Sequence, residues 1–238
     1  MSDHDPLRKP AVIIKSRTPT FLNAMGSLAQ ARPSREIPEE RDGRRPDEKV
    51  ILGNLALHRS DITEGRLGIP LTLTLKVVDA ANGRRTPIAG ANVEIWHCDA
   101  DGVFSDYASK MFPDAAMTTY LRGGQTTDRA GLATFKTIYP GWSGARATHV
   151  HVRIYSGTTP KKALQLGFPD PVNAAVYADA DRYVKGPNPT RNDADEVFGS
   201  EPGNGRFGGR QDFQIVAVAG ENASGYTGTV AIAVENFG

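Results

Sequence analysis

Strict alternation of apolar and polar residues in Leu71-Thr72-Leu73-Thr74-Leu75-Lys76-Val77 constrains this chain more than any other stretch. In an extended strand, side chains two residues apart share a face, so the four apolar residues would line one side and the polar ones the other. Residues 93–96, 133–138, 149–155, 213–218 and 229–234 read as further short strands. Turn-forming residues separate them at Ala81-Asn82-Gly83, Asp128-Arg129-Ala130-Gly131 and Pro140-Gly141. Several short strands with this punctuation predict an all-β sandwich or barrel rather than an alternating α/β fold. Helix is expected in only two short pieces, residues 171–180 and 192–198, both within a long excursion between strands. No internal repeat is visible.

With 238 residues the chain can enclose a substantial core. Lys and Arg number 28 against 27 Asp and Glu, a balance that points to neither a nucleic acid nor a membrane surface as partner. Cys98 is the one cysteine, so no intrachain disulfide framework exists and a reducing compartment is expected. No apolar run approaches the length of a membrane span, and no hydrophobic signal core follows the charged start of the chain; the expectation is a soluble cytoplasmic protein. Residues 1–49 differ from the remainder. Segments such as Arg32-Pro33-Ser34-Arg35 and Glu39-Glu40-Arg41-Asp42 are charged, proline-punctuated and poor in core residues. They read as an extension, partly disordered or docking on a partner, with a short helix expected over residues 20–30. The β domain is expected over 50–238.

The segment Thr148-His149-Val150-His151-Val152-Arg153-Ile154-Tyr155 sets two imidazoles and a guanidinium on one strand face and Val150, Val152 and Ile154 on the other. Two imidazoles side by side can share one metal ion, and imidazole suits iron, copper, zinc and nickel alike. Taken alone, the pattern also fits the polar face of a half-exposed strand.

Three further landmarks surround it. One is Pro87-Ile88-Ala89-Gly90-Ala91-Asn92-Val93-Glu94-Ile95-Trp96-His97-Cys98-Asp99-Ala100-Asp101-Gly102-Val103-Phe104-Ser105. The second is Arg122-Gly123-Gly124-Gln125-Thr126-Thr127-Asp128, leading through Gly131 to Thr137-Ile138-Tyr139-Pro140-Gly141. The third is Arg146, three residues before His149. In this order and spacing the chain resembles the intradiol ring-cleavage dioxygenases, the family of catechol 1,2- and protocatechuate 3,4-dioxygenases. The resemblance runs from about Arg59 to the C-terminus and is strongest between Pro87 and Tyr155. It implies a β-sandwich carrying a mononuclear ferric ion on two histidines and two tyrosinates, and an aromatic substrate opened by O2 to a muconate-type diacid through a cyclic anhydride. The matching histidines are His149 and His151. Arg146 and Gln165 match the residues that bind and polarise the substrate, where a fixed cationic charge offsets negative charge as the ring attacks dioxygen.

Both tyrosine-ligand positions depart from that pattern: the first carries Phe104 and the second Ser143. Phenylalanine has no donor atom, and a serine hydroxyl holds its proton at neutral pH. Tyr107 and Tyr139 are the nearby alternative phenols, and all four positions are expected to border the substrate. Losing two phenolates lowers the negative charge at the metal, so ferrous iron or another divalent ion suits the site better than it suits the parental one. The expected function is a diverged iron-dependent oxygenase acting on a catechol or related aromatic or enolic compound. The alternative is a silent or non-oxidative member that uses the pocket for binding, isomerisation or cyclisation. A homodimer is compatible with the family. His97 and Cys98 are expected to be structural, and His4 and His58 to face solvent. Asp99 and Asp101 read as turn residues.

Overall fold

The alternating segment at residues 71–77 is the middle of a ten-residue strand in the computed structural model, which describes residues 57–81, 85–105, 118–198 and 212–237. Along the described chain run β1 (Pro70–Asp79), β2 (Thr86–Pro87), β3 (Ala91–Trp96), β4 (Arg122–Thr126), β5 (Leu132–Ile138), β6 (His149–Ser156), β7 (Thr159–Gly167), α1 (Asp170–Tyr177), β8 (Asp212–Ile215), β9 (Ala217–Glu221) and β10 (Gly225–Val234). The extension 1–49, its expected helix and Tyr107 lie outside the described residues.

Two five-stranded sheets form the architecture. In the first, β1 pairs in parallel with β10 and antiparallel with both β2 and β5, while β9 adds to the far side of β10. The second runs β4-β3-β6-β7-β8. The expected all-β sandwich is what the chain builds. Leu71, Leu73, Leu75 and Val77 of β1 are almost wholly buried, whereas Thr72 and Lys76 are exposed. From the other sheet, Val93 and Ile95 of β3, Val150, Val152 and Ile154 of β6, and Leu164 and Leu166 of β7 join the same core with Phe135 and Phe168. Each such side chain contributes roughly 1.5–3 kcal/mol by leaving water, so the inner faces carry the fold.

Three expectations are corrected. Residues 213–218 are not one strand: the chain changes sheets at Val216, whose buried side chain enters the core and whose N–H donates to the Gly167 carbonyl. Residues 192–198 form successive turns instead of a helix. The Asp195 carboxylate accepts the amides of Val197 and Phe198 there, competing with the helical bonding pattern. β4 and β7 were not expected as strands at all. The helix expected at 171–180 is observed as α1, with Pro171 in its first turn, where a missing N–H costs nothing.

Candidate metal centre

Because Val150, Val152 and Ile154 take the core face of β6, the two histidines take the outer one. A transverse row of register partners crosses all five strands there: Arg122 on β4, Trp96 on β3, His151 on β6, Gln165 on β7 and Phe213 on β8. In the next row His149 lies opposite Gly167, and Gly167 opposite Ile215. A β-carbon at Gly167 would stand 2.7 Å from the Phe198 ring, so glycine leaves room for that ring to close over the row. Phe198 meets His149 edge-on at 6.3 Å between centroids and stacks on Phe213 at 4.9 Å.

The Nε2 atoms of His149 and His151 stand 3.1 Å apart. The His149 Nδ1–H donates to the Ala147 carbonyl at 2.6 Å, which leaves its Nε2 with a lone pair directed at the neighbouring ring. Nitrogens at about 2.1 Å from a shared metal and separated by this distance would subtend about 95° at it, so the pair fits two adjacent coordination positions. Burial, with the Arg146 charge beside it, pushes His149 down to about 4, and His151 is lowered strongly by burial and then by His149. Both rings are therefore neutral at pH 7, the form that ligates. Trp96 lies flat on His151, with centroids 4.9 Å apart and planes within 2°, and Phe104 approaches the same imidazole edge-on at 5.9 Å.

Arg146 reaches the row from the loop that enters β6. Its Nη2 donates to Gln165 Oε1 at 2.6 Å, and its Nε and Nη2 donate to Asp195 at 2.9 and 3.2 Å. Asp195 is fully buried. Burial alone would raise its carboxyl, but the Arg146 hydrogen bonds and charge and the amides of Ala147 and Val197 outweigh this and hold it below the usual carboxylate range. Asn188 clasps the same loop, donating to the Arg146 carbonyl at 3.1 Å. Tyr177, from α1, donates to Pro140 at 2.9 Å and accepts the Thr148 hydroxyl at 2.6 Å.

The structure thus brings Arg146, Gln165, His149, His151 and Phe104 together, and it treats the other expected residues differently. Tyr139 is a correction. Its ring packs on Phe168 and Tyr226 in the core cluster that holds Val150 and Val152, the opposite face from the histidines, and its hydroxyl donates to Asn173 at 2.8 Å. Ser143 is half-buried in the loop before β6, where its carbonyl accepts the Arg146 amide at 3.4 Å. Tyr155, Tyr177, Tyr183 and Tyr226 each donate to another protein group. Burial, with Asp99 nearby, raises Tyr120 to about 12, and its ring lies under the Arg66 guanidinium. Among the described residues no group of three or more His, Cys, Asp or Glu is placed to hold a metal. Two neutral imidazoles fit a first-row metal; the bis-phenolate ferric centre implied by the resemblance does not fit the donors described here.

His97 uses both ring nitrogens within the protein. Nδ1–H donates to the Cys98 carbonyl and Nε2 accepts the Thr137 hydroxyl, each at 2.8 Å. His58 is exposed. Sequence reasoning missed Trp96, Asp195 and Phe198 as parts of the site. Strand parity placed Trp96 beside a histidine only once the β3–β6 register was known, and nothing local to Asp195 or Phe198 marks them.

Known proteins share this architecture. The family model described as Dioxygenase matches residues 54–185, more than half of the chain. An intradiol ring-cleavage dioxygenase from Tetranychus urticae has a similar structure, with 27% identity, a TM-score of 0.65, and coverage of 76% of this chain and 88% of that one. A second structure, described as a dioxygenase, gives 26% identity and a TM-score of 0.63 over the same shares. The dioxygenase domain of a dioxygenase and carbohydrate-binding fusion from Streptomyces sp. SirexAA-E shares the fold at 23% identity and a TM-score of 0.52, over 75% of this chain and 88% of that one. None of the curated proteins compared with the sequence matches it. With the sandwich, the outward His pair and the family match in agreement, this chain belongs to the intradiol ring-cleavage dioxygenase family.

Proposed function

We propose that the chain is a metal-dependent oxygenase that uses O2 on a catechol or related aromatic or enolic compound. The observation that carries this reading is the convergence of two neutral imidazole Nε2 atoms, 3.1 Å apart, beside a guanidinium anchored on Gln165. His149 and His151 would hold iron or another divalent ion. Bound there, such a metal would supply Lewis acidity toward substrate oxygens and one-electron chemistry with O2.

The chain's own residues supply the rest. Arg146 presents a fixed positive charge toward an anionic substrate, and its planar fork orients that charge better than a mobile ammonium. Gln165, the register partner of His151, holds the guanidinium beside the ligand row. Trp96, Phe104 and Phe198 wall the histidines with aromatic surface, which limits water and favours a flat ring. Neither Phe104 nor Ser143 brings an anion, so the substrate's own ionised oxygens provide the negative charge. A cytoplasmic setting suits the single free thiol, Cys98, which is buried. Among the described residues no helix is long and apolar enough to cross a membrane.

The test is oxygen uptake by purified protein against a panel of catechols and hydroxyquinols, with elemental analysis of the same sample. Turnover with bound metal supports the proposal; metal-free protein that consumes no oxygen with any of them refutes it. A second reading, non-oxidative use of the pocket, is favoured by Phe104 and Ser143 at the ligand positions. It predicts catechol binding without oxygen consumption.

A further inference from the structure

We infer that Asp195 is the positioning residue of this site, fixing the substrate-facing guanidinium and the His149 ring together through one carboxylate. The inference rests on the reading of Arg146 as the group that meets the substrate, but the geometry behind it stands separately. Oδ2 accepts Arg146 Nε at 2.9 Å and the Ala147 amide at 2.6 Å; Oδ1 accepts Arg146 Nη2 at 3.2 Å and the amides of Val197 and Phe198 at 2.8 and 3.1 Å. Five donors on two oxygens saturate a carboxylate, so Asp195 is locked in place.

Four of those five bonds lead to the site. The Arg146 pair orients the guanidinium so that Nη2 also reaches Gln165, leaving Nη1 without a protein partner among the described residues. The bond to the Ala147 amide anchors that residue, whose own carbonyl, in the next peptide along, accepts His149 Nδ1–H and sets the tautomer and plane of that imidazole. The Phe198 amide fixes the backbone of the ring that packs on His149. Asp195 thus couples, through buried and charge-assisted bonds, three features that β6 alone does not orient.

Asp195→Asn keeps the shape but leaves one acceptor oxygen in place of two. In the full-length protein it should lower kcat for a turned-over catechol about a hundredfold, since misplacing a reacting group by ~1 Å can cost that much. In an Arg146→Ala background the same change should cost much less, because its partner is already gone. An equal loss in both backgrounds would mean a merely structural role and overturn the proposal. A second measurement needs no substrate. The Arg146 Nε–H resonance, assigned by its loss in Arg146→Ala, should exchange slowly in wild type and shift and exchange faster in Asp195→Asn. An unchanged resonance overturns the proposal whether or not any catechol is consumed. Absence of oxygen uptake by wild type would instead count against the proposed function alone. If the Asn variant does not fold, Asp195→Glu retains the charge with displaced oxygens, and the same resonance decides.

Discussion

Trp96 and His151 lie face to face across the β3–β6 register, their ring planes within 2° and their centroids 4.9 Å apart. The stack fixes the plane of His151, and that plane brings its Nε2 within 3.1 Å of His149. Trp96 is buried, and its indole nitrogen has no hydrogen-bond partner among the described residues. Its worth to the site is therefore its flat face. Trp96→Leu should weaken metal affinity about tenfold to a hundredfold, the range for partners that orient ligands. Trp96→Phe, which keeps a ring, should recover part of it. Competition with a chelator measures both, and equal affinity in wild type and Trp96→Leu would remove Trp96 from the site.

His149 and His151 are expected to bind one metal jointly. Alanine at either position should strip the metal, because a single neutral imidazole does not retain it alone. Mass spectrometry of purified His149→Ala decides the point; metal content equal to wild type would refute shared ligation.

Iron-loaded protein should be almost colourless. Strong visible absorption in this family would come from phenolate-to-ferric charge transfer, and the ligand positions carry Phe104 and Ser143. An intense visible band would show that a tyrosine has taken over, and Tyr107→Phe is the first variant to test against it.

Arg146→Ala should retain the metal and lose turnover by roughly a hundredfold to a thousandfold, the cost of removing one preorganised electrostatic group. Arg146→Lys should rescue only part of the rate, since it lacks the fork that engages Asp195 and Gln165 together. Wild-type oxygen uptake by Arg146→Ala with full metal content would show that the guanidinium has no part in the reaction.

Stability should fall with acidification between about pH 6.5 and 4, in part through His97. Burial pushes this imidazole down to about 4, below the unfolded value. As the pH drops below about 6.5 the unfolded chain takes up a proton there and the folded protein does not. Stability present above that pH is therefore lost down to about pH 4, on the order of a few kcal/mol at most. His97→Gln should flatten this dependence relative to wild type in thermal melts from pH 7.5 to 4.5. Parallel curves for the two proteins would exclude His97 as a source.

Strands with a core face and a more open face could be read directly from their alternation. β1, β5 and β6 alternate because one face meets the core and the other does not. β7 carries no such alternation because Lys161 and Lys162 dominate its first half, and its strand character comes from pairing with β6. β4 contains Gly123 and Gly124, which have little strand preference of their own; the Ile62 side chain occupies the space where a Gly123 β-carbon would sit. Tyr139, close in sequence to the ligand positions, was drawn into the core because its strand ends on the inner face of the opposite sheet.

By itself the sequence determined the β class, the shared face of His149 and His151, and the departure at Phe104 and Ser143, because strand parity and side-chain chemistry are local properties. Only the tertiary structure decided what surrounds the two imidazoles. Trp96, Gln165 and Phe213 reach the row through strand register, and Asp195 reaches it through a loop that no periodicity describes. Register and loop placement follow from burial and hydrogen bonding between segments far apart in the chain, and those energies are settled only when the two sheets close on one core.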